Sequence, residues 1–491
     1  MVMVCQLLQS TANQDHRFLT AFNASDFIIT ISERIFGELM SGQNPVTSTK
    51  TWANRWTFLL AAAGSAIGLG NIWKFPYIAG QYGGGAFVML YLICIAVMGI
   101  PLLMAETAIG RHTRHSPLNA IRQLTNELGA SKLWSMIGWM GMLAGFLILS
   151  FYSVIAGWSL SYAWQIVSGG FTGMTTDQVG DAFGGLVSSA DRQIFWHSAF
   201  MILTFAITAR GIHKGLEKGL QVMMPALFAL LLIMLGYSML ETGQFMRGFE
   251  FMFSVDFSKV TGEAVTAALG QAFFTLSLGM CALMAYGAYM PANNSIPRTA
   301  LNVAALDTLM AIVSGLIVFP IVFAYGLEPS AGPGLLFVSL TAAFVHMPMG
   351  EIFGFLFFVL VAIAALSSAI SLVEPALAWL LERTPLSRTV ATIILCAAIW
   401  FVGLGTVFAF SGDFTFTLFG KNFFDLLDYF TSNILLPLGG LLISIFAGWV
   451  IKRSTMMNEL GLSVGMFNLW RAMIRVVVPV CVLVVVITTI F

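Results

Sequence analysis

Charge is what this chain has least of. Only 9% of its 491 residues are Asp, Glu, Lys or Arg, while 58% are hydrophobic, and mean hydropathy is +0.87. A water-soluble domain carries roughly 25% charge, so the composition excludes one and indicates an integral membrane protein with the lipid bilayer as its solvent. The two signs balance to a net charge of zero, which leaves no basic surface for nucleic acid. Cysteine is also scarce. Cys5, Cys94, Cys281, Cys396 and Cys481 are scattered, four of them in apolar runs, which is neither a disulfide framework nor a metal signature. The six histidines show no HExxH spacing, and His112 and His115 read as solvated residues of a basic loop. No nucleophile–base pair, metal cluster or phosphate loop is legible, so the expectation is that the protein is not an enzyme.

A signal peptide is missing as well: residues 1–50 contain no charged region followed by an apolar stretch and a small-residue cleavage site. Their apolar run, Phe27–Ile31, is too short for the roughly 20 residues of a spanning helix. Residues 1–50 are expected to be a cytoplasmic, disordered tail. Met40 opens a polar leader, MSGQNPVTSTKTW, which suggests a translation start there. A peptide carrying Asp15 in the natively expressed protein would sink that start.

What the chain does have is long hydrophobic runs. Eleven follow one another, at about 52–76, 84–110, 133–165, 194–209, 219–240, 262–290, 300–327, 350–382, 389–410, 425–451 and 471–491. The expected fold is therefore all-α, with about eleven transmembrane helices. With the N-terminus placed inside, the inner loops hold Arg111, Arg114, Arg122, Lys132, Arg210, Lys214, Lys218, Arg298, Arg383, Arg388, Lys452, Arg453 and Arg471. The outer loops hold only Arg192, Arg247, Lys259 and Lys421. This asymmetry predicts a cytoplasmic N-terminus and an outer C-terminus.

The first run is the unusual one. Gly64-Ser65-Ala66-Ile67-Gly68-Leu69-Gly70-Asn71 places three glycines and two small polar residues in the middle of a spanning segment. Glycine costs about 1 kcal/mol relative to alanine inside a helix. A helix that breaks halfway to present bare N–H and C=O groups explains the cluster, because in lipid such groups need protein or a bound solute to satisfy them. The sixth run repeats the pattern in Gly270–Cys281, GQAFFTLSLGMC. The second break lies five runs on from the first, an odd number, so residues 52–241 and 262–451 read as two five-helix repeats of opposite orientation, with 471–491 as an extra helix. Interrupted helices at matching positions of two halves point to a transporter's binding site.

Five motifs in order carry a family resemblance: GSAIGLGNIWKFPY (Gly64–Tyr77), GQYGGGAF (Gly80–Phe87), GIPLLMAETAIGR (Gly99–Arg111), GIHKGLEK (Gly211–Lys218) and GQAFFTLSLG (Gly270–Gly279). The chain over about 50–491 resembles the neurotransmitter:sodium symporters, most closely their bacterial, leucine-transporter-like amino-acid carriers. The resemblance implies a sodium-coupled amino-acid symporter of the bacterial inner membrane. A first sodium site would use the carbonyl of Ala66, the side chains of Asn71 and Thr275, and Asp307. The bacterial pattern has an amide at that last position and a glutamate one turn on, where this chain has Ala311. One fixed negative charge would do the work chloride does in animal members, so chloride-independent transport is expected. An acid within NVAALDTLMAIVSGLIVFP is costly and by default functional. A second sodium site would use the carbonyls of Gly64, Ile67 and Ala364 and the hydroxyls of Ser367 and Ser368.

The substrate carboxylate would meet N–H groups around Ala66, Gly68, Leu69 and Gly70, at the start of a half-helix whose dipole favours an anion, together with the Tyr152 hydroxyl. Its ammonium would meet carbonyls around Phe274 and Ser277. The side-chain pocket maps to Ile148, Phe274, Ser277, Met280, Ser368 and Leu372. Methionine at 280, where the leucine-transporter pattern has phenylalanine, is flexible and leaves room for a bulky hydrophobic or aromatic amino acid. An outer gate would pair Lys74 with Asp428, above a lid of Phe274 and Tyr152. An inner gate would use Trp52, Tyr289 and Glu382, with Lys50 or Arg55 as the cation, since the usual arginine position is Thr49 here. Glu106 matches a family acid without an assigned ligand role. A proton-coupled carrier and a transport-inactive sensor on the same fold are the competing readings.

Overall fold

The computed structural model describes Trp52, residues 55–326, 334–413 and 416–490; the expectations for residues 1–50, including Lys50 and Thr49, lie outside them. Among the described residues the chain is helical, with one isolated β-bridge between Leu418 and Lys421. Helix α1 is Arg55–Ala66, α2 Gly70–Gln81, α3 Gly85–Thr113, α4 Pro117–Leu128, α5 Lys132–Val167 and α6 Thr176–Val187. They are followed by α7 (Ala190–Thr208), α8 (Gly215–Glu241), α9 (Phe245–Phe253), α10 (Gly262–Thr275), α11 (Ala282–Ala288) and α12 (Ile296–Ala324). The last six are α13 (Leu335–His346), α14 (Gly350–Arg383), α15 (Arg388–Ser411), α16 (Phe423–Val450), α17 (Arg453–Leu460) and α18 (Val464–Val484).

Eight of these helices are long and apolar enough to cross a membrane: α3, α5, α8, α12, α14, α15, α16 and α18. The pair α1 and α2 qualifies together as a ninth crossing, bent by 49°. The shorter helices α4, α6, α9, α13 and α17 were not anticipated, because their apolar stripes are too brief to register as runs. Local chemistry sets their ends. Pro117 stands in the first turn of α4, where a missing N–H costs nothing, and Gly129 stops it at φ 62°. Thr175 and Gln178 cap α6 reciprocally.

The most extensive helix contact runs between α5 and α14. Helices α7 and α15 pack against both members of this pair, α1 packs against α14, and α12 packs against α1; the residues of both helix breaks are buried. The α1–α2 break spans Ile67–Leu69, and the α10–α11 break spans Leu276–Cys281. The second break is strained: Ser277 (φ 55°) and Cys281 (φ 60°) hold left-handed backbone without being glycine. Gly279 (φ 80°) must be glycine on two counts, since a Cβ there would also sit 2.3 Å from the Leu436 carbonyl oxygen.

Candidate functional site

A break in a helix frees backbone groups, and here their partners can be followed one by one. The Gly68 N–H donates to Asn71 Oδ1 at 2.9 Å, and the Leu69 N–H to the Tyr152 hydroxyl at 3.2 Å. The Ser65 carbonyl accepts from Ser277 Oγ at 2.9 Å, which ties one break to the other. The Gly70 carbonyl accepts from Gln271 Nε2 at 2.7 Å. The Ile67 carbonyl accepts from both Ser367 and Ser368, at 3.3 and 3.1 Å. Every one of these groups is taken up by protein, as a lipid-embedded break requires.

Two clusters of oxygen atoms result. The first surrounds Asp307, which is fully buried. Its Oδ1 accepts from Asn71 Nδ2 at 2.7 Å and from Thr275 Oγ1 at 2.9 Å, and its Oδ2 accepts from the Tyr91 hydroxyl at 3.1 Å. Asn71 also donates to Thr275 Oγ1 at 2.9 Å. The second cluster lies on the other side of the α1–α2 break. Ser367 Oγ donates to the Ala364 carbonyl at 2.9 Å as well as to Ile67, and a Cβ on Gly64 would lie 3.5 Å from the Ser367 Cβ. The structure thus brings Asn71, Thr275 and Asp307 together, and separately Gly64, Ile67, Ala364, Ser367 and Ser368. Both sets are hard oxygen donors, suited to a cation such as sodium rather than to a soft metal.

Between the clusters is a pocket lined by Ser65, Ala66, Gly68, Gly70, Ile148, Tyr152, Phe274, Thr275, Ser277, Met280, Ser368 and Leu372. Leu69 contributes its N–H through Tyr152 and does not line the pocket. Gly68 is obligatory at its wall: a Cβ there would stand 2.3 Å from Ser368 Oγ and 2.9 Å from the Tyr152 hydroxyl. One end of the pocket is polar (backbone of the α1–α2 break, Tyr152, Thr275). The other is apolar (Ile148, Met280, Leu372), so a small zwitterion with a hydrophobic side chain suits it.

Above the pocket, Lys74 Nζ lies 3.5 Å from Asp428 and 4.3 Å from the centre of the Phe274 ring. At the opposite end Trp52 is buried, packs edge-on against Tyr286 at 5.7 Å, and donates its backbone N–H to the Tyr289 carbonyl at 3.0 Å. Glu382 is engaged elsewhere. It accepts from the Ser116 N–H and hydroxyl at 2.8 and 2.5 Å and from Asn119 at 2.6 Å, and His115 lies 3.5 Å away. Arg55 is exposed. The acid bonded to the Tyr289 side chain is Glu374, fully buried and paired with Arg388 at 2.6 Å. Sequence reasoning passed over Glu374, although an acid inside the apolar SLVEP stretch was a signal of the same kind as Asp307. It also passed over Tyr91 and Gln271, whose polar tips inside apolar runs each needed a partner. Glu106 is buried and accepts from the Gly279 N–H at 2.9 Å, inside the second break.

Residues 49–174 and 189–491 match the sodium:neurotransmitter symporter family. Among similar proteins is the uncharacterized sodium-dependent transporter YhdH of Bacillus subtilis (strain 168), 38% identical over 91% of this chain and 98% of its own length. A second sodium-dependent transporter, from Haemophilus influenzae, is 34% identical over 90% of this chain and 98% of its own length. Among solved structures, the crystal structure of MhsT in complex with L-phenylalanine superposes with a TM-score of 0.84 at 41% identity, covering 90% of this chain and all of that one.

Proposed function

The chain belongs to the sodium:neurotransmitter symporter family, and from that premise we propose that it is a symporter that carries a bulky hydrophobic or aromatic amino acid into the cell with sodium, without chloride. The observation that carries the reading is the pocket flanked by two oxygen clusters, one holding a buried carboxylate. Asn71, Thr275, Asp307 and the Ala66 carbonyl take the first sodium, and the substrate carboxylate completes its shell. Gly64, Ile67, Ala364, Ser367 and Ser368 take the second. The negative charge of Asp307 offsets the added cation, which is why no chloride is needed. The binding of L-phenylalanine by the similar MhsT supports an aromatic substrate, and Met280 and Leu372 at the apolar end are compatible with its ring.

Transport proceeds by alternating access. With both sodium ions and substrate in place, Lys74 and Asp428 close over Phe274 and Tyr152. Then α1/α2, α3, α10/α11 and α12 rock against α5, α7, α14 and α15, and contacts around Trp52 and Tyr289 open. The inward potential supplies roughly 2.3 kcal/mol per charge per 100 mV. In this arrangement α7 and the α10/α11 pair cross the membrane too, which gives eleven crossings, two inverted five-helix repeats (52–241 and 262–451) and a last helix. The N-terminus is cytoplasmic and the C-terminus outside, in a bacterial inner membrane. Asp307 favours a second reading, proton coupling, because a proton needs only one titratable group. Uptake of L-phenylalanine into proteoliposomes under a sodium gradient, and separately under a pH gradient, tells the two apart: sodium-driven accumulation supports the proposal, and accumulation driven by pH alone rejects it.

A further inference from the structure

Away from the pocket, three arginines meet where the end of α16 packs against α18. Arg475 Nε donates to the Gly448 carbonyl at 2.6 Å, and Arg471 reaches the same oxygen at 3.5 Å. The Arg475 guanidinium lies 4.4 Å from the centre of the Trp449 ring. Arg453 and Arg471 both lie against the buried Phe467 ring, at 5.4 and 6.0 Å, and Arg453 donates to Asn468 at 2.6 Å. Carbonyls, an amide and rings orient these guanidiniums, and among the described residues no carboxylate pairs with any of them. Glu459, the acid closest in sequence, is taken by Arg111 and His112 at 2.8 and 3.2 Å. Arg471 and Arg475 stand one helical turn apart, where like charges repel. An anion among them would relieve that repulsion.

We propose that this corner holds the phosphodiester headgroup of an anionic membrane lipid. A guanidinium fork matches phosphate oxygens in geometry as well as charge. The surroundings favour lipid over a soluble phosphate. Trp449 is 59% exposed at the end of α16, and Val476 and Val480, one turn apart on α18, are 56% and 53% exposed. An exposed indole at the boundary, a basic cluster beside it and an apolar wall running into the bilayer provide for a headgroup and its acyl chain together.

The test uses the full-length protein in nanodiscs of mixed phosphatidylglycerol and phosphatidylcholine, with retained lipids counted by native mass spectrometry. The wild type should retain phosphatidylglycerol in preference to phosphatidylcholine. Arg453→Gln/Arg471→Gln/Arg475→Gln should lower that preference at least about tenfold, well within what three arginines at an anionic surface supply. Removing two exposed charges elsewhere, Arg122→Gln/Arg298→Gln, should leave it unchanged. The triple lysine variant keeps the charge but loses the fork and the ring contacts, and should fall between. If the glutamine variant does not fold, the lysine variant decides, and a wild-type preference in it overturns the built site. An unchanged preference in the glutamine variant overturns the proposal, and so does wild-type preference abolished by excess inorganic phosphate, which would make this a site for soluble anions.

Discussion

The two oxygen clusters flank the same helix break and differ in kind. The one at Asp307 contains a carboxylate held by three donors, Asn71, Thr275 and Tyr91. The one at Ile67 contains only carbonyls and two serine hydroxyls. A buried charge in lipid is costly, so Asp307 is fixed in place by the groups that satisfy it. A hydroxyl is both donor and acceptor: Ser367 and Ser368 can turn from donating to the Ile67 carbonyl to offering their own oxygens to a cation. The first cluster is thus a charged site committed to one geometry, and the second a neutral site that rearranges cheaply. In the proposed carrier, the first supplies coupling to the substrate carboxylate and the second supplies affinity.

Breaking the charged site should have the largest effect. Asp307→Ala should lower sodium-driven amino-acid uptake in proteoliposomes by at least about 100-fold, the scale for stripping one member from a buried charged network. Asp307→Asn sharpens the comparison. It keeps the shape and removes the charge, so the remaining uptake should become several-fold faster in chloride than in gluconate, while the wild type is indifferent to the anion. The neutral site should yield less. Ser367→Ala/Ser368→Ala removes two uncharged oxygens, each worth about 1 kcal/mol, and should raise the half-saturating sodium concentration roughly tenfold or somewhat more in uptake titrations, without making uptake depend on chloride. The smallest change is expected outside both clusters. Lys74 and Asp428 are 3.5 Å apart with the acid 37% exposed, and partly solvated pairs contribute about 0–1 kcal/mol. Lys74→Ala should therefore alter the rate of substrate release to the outside by less than about fivefold.

How much of this was legible in the sequence follows from the same contrast. Helix breaks announce themselves by composition, since glycines and small polar residues are out of place in an apolar run, and both breaks lie where GSAIGLGN and FTLSLG put them. Acids in apolar runs are equally conspicuous, which is how Asp307 and Glu106 stand out. The partners of those groups were harder to see. Tyr91 is 216 positions from Asp307 and Gln271 is 201 from Gly70, and a single tyrosine or glutamine in a helix does not say which neighbour it faces. The inner end was least legible: Trp52 and Tyr289 meet through a backbone hydrogen bond, while Glu382 is claimed by the Ser116 turn of a helix, α4, that hydrophobic runs alone do not reveal. Cys281 at a left-handed position shows the opposite failure, because the backbone there calls for glycine and the sequence does not supply it.

The most direct test of sodium-coupled, chloride-independent amino-acid symport is initial L-phenylalanine uptake by the purified protein in proteoliposomes, with sodium or choline as the outer cation and chloride or gluconate as the anion. The proposed mechanism predicts uptake in both sodium media at equal rates and none in either choline medium. Uptake that persists in choline, or that requires chloride in the wild type, would contradict it.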